Sequence, residues 1–279
     1  MFGTGTQGDA PAIRDAGWMR NKVPAVTALF WVTKLLTTAM GETTSDFLVK
    51  TIDPFVAVGG AFAVFAVAMV LQFAVKRYIA WVYWFAVLMV AVFGTMVADV
   101  LHVELGVPYA VSTVGFAMAL AAVFAVWYAT QRTLSVHRID TRAREMFYWC
   151  AVLGTFALGT AFGDLTATTL GLGYFGSALV FGILFAIPGV AYRWWGLGGT
   201  AAFWTAYVLT RPFGASLSDG LAVSHARGGL DLGTGPVSLV LFAAIVVCVA
   251  VLSARDRAAL EPVGLASPSL DDAADASRP

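Results

Sequence analysis

The stretch Phe30-Trp31-Val32-Thr33-Lys34-Leu35-Leu36-Thr37-Thr38-Ala39-Met40-Gly41-Glu42-Thr43-Thr44-Ser45-Asp46 decides the fold, because its framework returns three more times along the chain. Trp31, Gly41 and Asp46 recur as Trp84, Gly94 and Asp99, as Trp149, Gly159 and Asp164, and as Trp204, Gly214 and Asp219. The step is ten positions from Trp to Gly and five from Gly to Asp in every copy. The residue before Trp is always aromatic (Phe30, Tyr83, Tyr148, Phe203), and the residue before Asp is always small (Ser45, Ala98, Gly163, Ser218). Matches in one register without gaps define an internal repeat, so the chain reads as one unit used four times.

Each copy sits in one apolar run and is followed by a second. With 59% hydrophobic residues, 12% charged residues and nine Trp beside twenty Phe, the 279-residue chain lies far from the usage of soluble domains. Its mean hydropathy is +0.79. Runs of roughly 20 residues, long enough to span a bilayer, fall at about 24–46, 55–75, 79–99, 108–130, 146–167, 171–192, 195–217 and 236–253. Asp53-Pro54 and Val107-Pro108 open the second and fourth, and Gly171 and Gly233-Thr234-Gly235-Pro236 precede the sixth and eighth. The expected fold is an all-α integral membrane protein whose eight transmembrane helices form four parallel two-helix repeats, at about 24–77, 78–133, 145–193 and 194–254. Units of two spans share one orientation, so the axis relating them lies near the membrane normal and the arrangement is a ring or a pair of pairs.

Residues 1–22 form a polar segment without the order of a secretory signal, 23–254 the membrane domain, and 255–279 a tail expected to be disordered and cytoplasmic. Arg14, Arg20, Lys22, Lys76, Arg77, Arg132, Arg138, Arg142, Arg144, Arg193, Arg255 and Arg257 collect on one side, and only Lys50 and Arg227 are clear loop bases on the other. By the positive-inside rule both termini are cytoplasmic. With 17 basic and 17 acidic residues the net charge is zero, which gives no footprint for nucleic acid. Cys150 and Cys248 stand in apolar runs and read as small hydrophobes, neither a disulfide nor a thiolate metal site. No Ser-His pair, HExxH, CxxC or phosphate loop occurs, so an enzyme is not expected.

Within the unit the three invariant positions have different uses. Gly41, Gly94, Gly159 and Gly214, each with a small residue four positions on, let helix backbones approach closely. Trp31, Trp84, Trp149 and Trp204 read as aromatic anchors or packing residues, toward the opposite helix end from Asp. Asp46, Asp99, Asp164 and Asp219 are left as the repeated groups with chemical potential, at equal depth.

The units also diverge. The first alone has Lys34 and Glu42, and the last alone has Arg211-Pro212. A Lys within an apolar helix costs roughly 2.5 to 3.5 kcal/mol on insertion scales, so Lys34 is expected to find a carboxylate or a water-filled cavity. Pro212 is expected to kink its helix and free carbonyls. Glu42, Asp46, Asp99, Asp164 and Asp219 are the candidate ion-binding or metal ligands, with Lys34 and Arg211 tuning their charge. Hydroxyls such as Thr43, Thr95, Thr160 and Ser216 accompany them, and this oxygen-rich set suits a hard divalent cation or protons. His102, three residues after Asp99, is a further candidate; His137 and His225 have no cluster around them.

The four-fold aromatic-Trp, Gly, small-Asp unit, with Gly41-Glu42-Thr43 in the first copy and Arg211-Pro212-Phe213-Gly214-Ala215-Ser216 in the last, resembles a family of bacterial membrane proteins. That family is defined by four tandem repeats of unknown function, each with two transmembrane regions and a characteristic tryptophan. The resemblance covers about 24–253 and implies a multi-pass protein of the bacterial inner membrane. It supplies no activity. From the residues alone, the expected function is a transporter or channel for a small cation, such as manganese, magnesium or a proton. The alternative is a non-transporting intramembrane scaffold in which the same groups fix helix register.

Overall fold

The computed structural model describes residues 21–260, and every regular element among them is helical. The helices are α1 (Ala28–Thr51), α2 (Pro54–Ala74), α3 (Ala80–Asp99), α4 (Tyr109–Gln131), α5 (Arg142–Asp164), α6 (Gly173–Trp194), α7 (Gly199–Ala222) and α8 (Thr234–Leu260). Their starts follow local chemistry. The Thr27 and Thr141 hydroxyls accept from the amides of Phe30 and Arg144 at the heads of α1 and α5. Asp53 accepts from Phe55 and Val56, with Pro54 in the first turn where its missing N–H is harmless. α7 continues as helix through Pro212.

α1, α3, α5 and α7 form an inner ring, each touching the next and α7 closing on α1. The second helix of each unit packs chiefly on the first helix of the following unit: α2 on α3, α4 on α5, α6 on α7 and α8 back on α1. Two small-residue and aromatic devices repeat around the circle. A Cβ added to Gly41 would lie 2.5 Å from Cβ of Ala91, one on Gly94 3.1 Å from Cβ of Phe156, and one on Gly159 2.5 Å from Cβ of Arg211; Gly214 meets Thr38 in the same way. Each glycine therefore accommodates the equivalent residue of the next unit, and the four contacts close. Likewise Phe30 packs on Trp84, Tyr83 on Trp149, Tyr148 on Trp204 and Phe203 on Trp31, with ring centroids 5.5, 5.7, 5.9 and 5.6 Å apart. The repeated Trp are thus clamps between units. Trp84, Trp149 and Trp204 are buried, which removes them from the anchoring role at a lipid interface considered above.

The outer helices turn apolar side chains outward, among them Phe55, Val56 and Val70 on α2 and Leu239 and Val240 on α8. A face of this extent is stable against lipid and not against water. Six helices are long and apolar enough to cross a membrane. The other two, α1 and α7, hold Lys34, Glu42, Asp46, Arg211 and Asp219 and lie in the inner ring. The chain is a multi-pass membrane protein.

Candidate functional site on the repeat axis

Positions four apart on an α-helix share a face, and one such stripe on each inner helix turns toward the axis. It reads Phe30, Lys34, Thr38, Glu42, Asp46 on α1; Tyr83, Val87, Ala91, Thr95, Asp99 on α3; Tyr148, Val152, Phe156, Thr160, Asp164 on α5; and Phe203, Tyr207, Arg211, Ala215, Asp219 on α7. Taken across the ring, these make five tiers from the Trp end to the Asp end. In the first four tiers no residue is more than 5% exposed, so the axis is filled with side chains there.

Arg211 organises the middle. One terminal nitrogen donates to the Glu42 carboxylate, to the Thr95 hydroxyl and, at 2.9 Å, to the Thr160 hydroxyl. Those three acceptors are the equivalent positions of the other three units, and the fourth, Ala215, leaves the room. The second terminal nitrogen donates to the Thr38 carbonyl at 3.2 Å. A guanidinium suits this arrangement because its donors are fixed in a plane and it stays charged. Glu42, expected among the ion-binding acids, has its charge matched by Arg211 inside the bundle.

Lys34 contradicts expectation. It finds neither a carboxylate nor a water-filled cavity: its amine lies 3.9 Å from the ring centre of Phe156 and 4.3 Å from that of Tyr207, with no hydrogen-bond partner. Toward the Trp end the hydroxyls of Tyr83 and Tyr148 are bonded to each other.

The four Asp of the last tier are not equivalent. Asp46 forms an ion pair with Lys50, one turn on. Asp219 is buried, without an ion pair among the described residues. Asp99 and Asp164 come together and His102 joins them, one ligand atom of each lying within 4.8 Å of the others. No lysine or arginine among the described residues pairs with this trio. The two helices that carry this pair also share a local feature. α3 and α5, but neither α1 nor α7, widen after their Asp into a π-helical turn, Val100–Glu104 and Leu165–Thr169. Each turn then stops at a glycine with positive φ, Gly106 at 60° and Gly171 at 70°, seven residues beyond the Asp, a conformation that favours glycine. The first turn carries His102. Its Nε2 meets the Ser112 hydroxyl at 2.6 Å, while its Nδ1 has no partner. A ring held through one nitrogen and free at the other is the usual state of a metal-binding histidine, so Asp99, His102 and Asp164 form a donor set of two carboxylates and an imidazole.

Thr95, Thr160, Phe156 and Tyr207 were not singled out by sequence as partners of the two buried cations. The four-residue spacing from Glu42 and Arg211 through the repeat register is the signal that finds them.

The family described as Repeat of Unknown Function (DUF347) matches four segments, residues 29–78, 82–133, 147–196 and 202–258. The chain belongs to that family. In this DUF347 chain the matched segments coincide with the structural units, each an inner helix and the outer helix after it. No curated protein and no solved structure is detectably similar to it.

Proposed function

We propose that this DUF347 protein is a transporter for a small cation, with eight membrane spans and both termini on the cytoplasmic side of a bacterial inner membrane. The single observation that carries the reading is the convergence of Asp99, Asp164 and His102 with no lysine or arginine paired to them among the described residues. Two carboxylates near an apolar interior repel each other unless a cation or proton joins them, and no lysine or arginine among the described residues does so. The donors favour a hard or borderline divalent ion; an imidazole nitrogen beside the oxygens favours manganese over magnesium. The filled tiers between this site and the Trp end fit a protein that opens to its two sides in turn and not a continuous channel.

The test is uptake by proteoliposomes across manganese, magnesium, calcium and a pH gradient alone. Asp99→Asn and Asp164→Asn are expected to abolish uptake of the preferred ion while Asp46→Asn, whose partner is Lys50, reduces it little. Unchanged flux in both of the first two variants would sink the proposal. The scaffold reading draws on the Arg211 cluster, whose acceptors join all four inner helices. It requires that Asp99→Asn lower thermal stability in detergent and that no ion in the panel raise it.

A further inference from the structure

Lys34 is a titratable group that the site above leaves unused. It is 1% exposed, has no hydrogen-bond partner and stands over two ring faces in the same column as Arg211. The Phe156 ring that receives the Lys34 amine also lies 5.7 Å from the Arg211 guanidinium carbon. The rings of Phe156 on α5 and Tyr207 on α7 receive the amine, and Arg211 stands one turn beyond Tyr207 on the same face of α7. In the stripes that share the tier of Lys34 are Val87 on α3 and Val152 on α5, with Tyr83 and Tyr148 one tier nearer the Trp end. Glu42 is on its own helix but belongs to Arg211. With Lys34 charged, the inner tiers hold two cations against one carboxylate. Buried Tyr207 Oη and Arg211 Nε are, like the amine, without partners.

A cation arriving at Asp99 and Asp164 adds positive charge to one end of a column of buried side chains. Arg211 cannot answer it, because a guanidinium keeps its proton in proteins. Lys34 can, since an amine over aromatic rings has nothing that holds its proton by hydrogen bonding. We propose that Lys34 is the proton-exchanging residue of the transport cycle, so that the cation moves one way across the membrane and a proton the other. In the step itself an N–H bond of the ammonium breaks, its electron pair stays on Nζ, and the proton passes to water admitted when the protein opens to that side. Release of the cation reverses it. The aromatic setting supports both forms, the ammonium through its attraction to ring faces and the neutral amine through the absence of any acceptor.

This rests on the transport reading, and the experiment separates the two. The full chain in proteoliposomes is given manganese with the membrane potential clamped, and manganese uptake and internal pH are followed together. One-proton exchange changes the final manganese gradient about tenfold per unit of opposing pH gradient. Lys34→Met, which cannot carry a proton, and Lys34→Arg, which cannot release one, are expected to keep manganese binding and lose this dependence. Manganese uptake whose pH dependence is the same in wild type and both variants overturns the role of Lys34 and leaves transport standing. No uptake by the wild type under any gradient overturns both. A direct measurement needs no variant to fold: the 15Nζ resonance of Lys34, one of four lysines in the chain, is expected to move from ammonium to amine on manganese saturation. A resonance that stays ammonium throughout overturns the proposal.

Discussion

Arg211 and Lys34 are both buried cations on one axis, in adjacent tiers, and the protein treats them in opposite ways. Arg211 has a carboxylate, two hydroxyls and a carbonyl, drawn from three other helices. Lys34 has two ring faces. Burial of a charge is costly in either case, but only the first is compensated by matched charge and hydrogen bonds. Arg211 is consequently a structural cross-link whose removal injures the whole ring. Lys34 is a local burden whose retention in such a setting needs a reason other than stability.

The sharpest way to break this comparison is to truncate Arg211. Arg211→Met strands Glu42 as an unpaired buried carboxylate and is expected to cost about 3–5 kcal/mol, measured by denaturant unfolding in detergent. Arg211→Lys should recover little, because a point charge cannot serve acceptors on three helices at once. Adding Glu42→Gln to Arg211→Met should restore part of the loss, since the two residues form one unit and their effects are not additive. A full sum of the two single losses would refute the pairing as the source of stability. Next in size is Gly159→Ala, whose new methyl would lie 2.5 Å from both Cβ and Cγ of Arg211. About 1–3 kcal/mol of overpacking is expected there, and less for Gly94→Ala, where the nearest atom is 3.1 Å away. Thr95→Val removes a single hydrogen bond to a cation that keeps its others, with an expected loss of about 1 kcal/mol.

The features that place these residues were partly legible from the chain alone. The register of Trp, Gly and Asp told that four units share one orientation and that glycine marks close helix approach, since such spacing survives only where it serves a common geometry. It did not tell on which neighbour each second helix packs, so the interlocked ring, and with it the burial of Trp84, Trp149 and Trp204, was hidden. The π-helical turn that carries His102 beside Asp99 and Asp164 was hidden too, because residue types do not announce it. The same holds for Glu145, whose buried carboxylate takes Lys22 at 2.6 Å and Gln72 at 3.2 Å and so ties the segment before α1 and the last turn of α2 to α5. Its neighbours in sequence give no hint of that. Equally, Lys34 was visible as an anomaly while its surroundings were not: partners 122 and 173 positions away in the chain, Phe156 and Tyr207, enter only through the ring.

The smallest expected effect is the most informative about Lys34. Lys34→Met replaces a buried amine without a partner by an apolar chain of similar length that can lie on the same Phe156 and Tyr207 faces. Removal of an uncompensated polar group offsets the lost attraction to the rings, so the variant should unfold within about 1 kcal/mol of wild type, or above it. A loss of the size expected for Arg211→Met would mean that Lys34 is a second cross-link, bonded in a way its ring contacts do not reveal, and the contrast between the two cations would fail. An unchanged or raised stability together with altered proton coupling would instead show that the residue is kept against the interest of folding. That outcome belongs to a group that works, since burial without compensation persists where the charge is used.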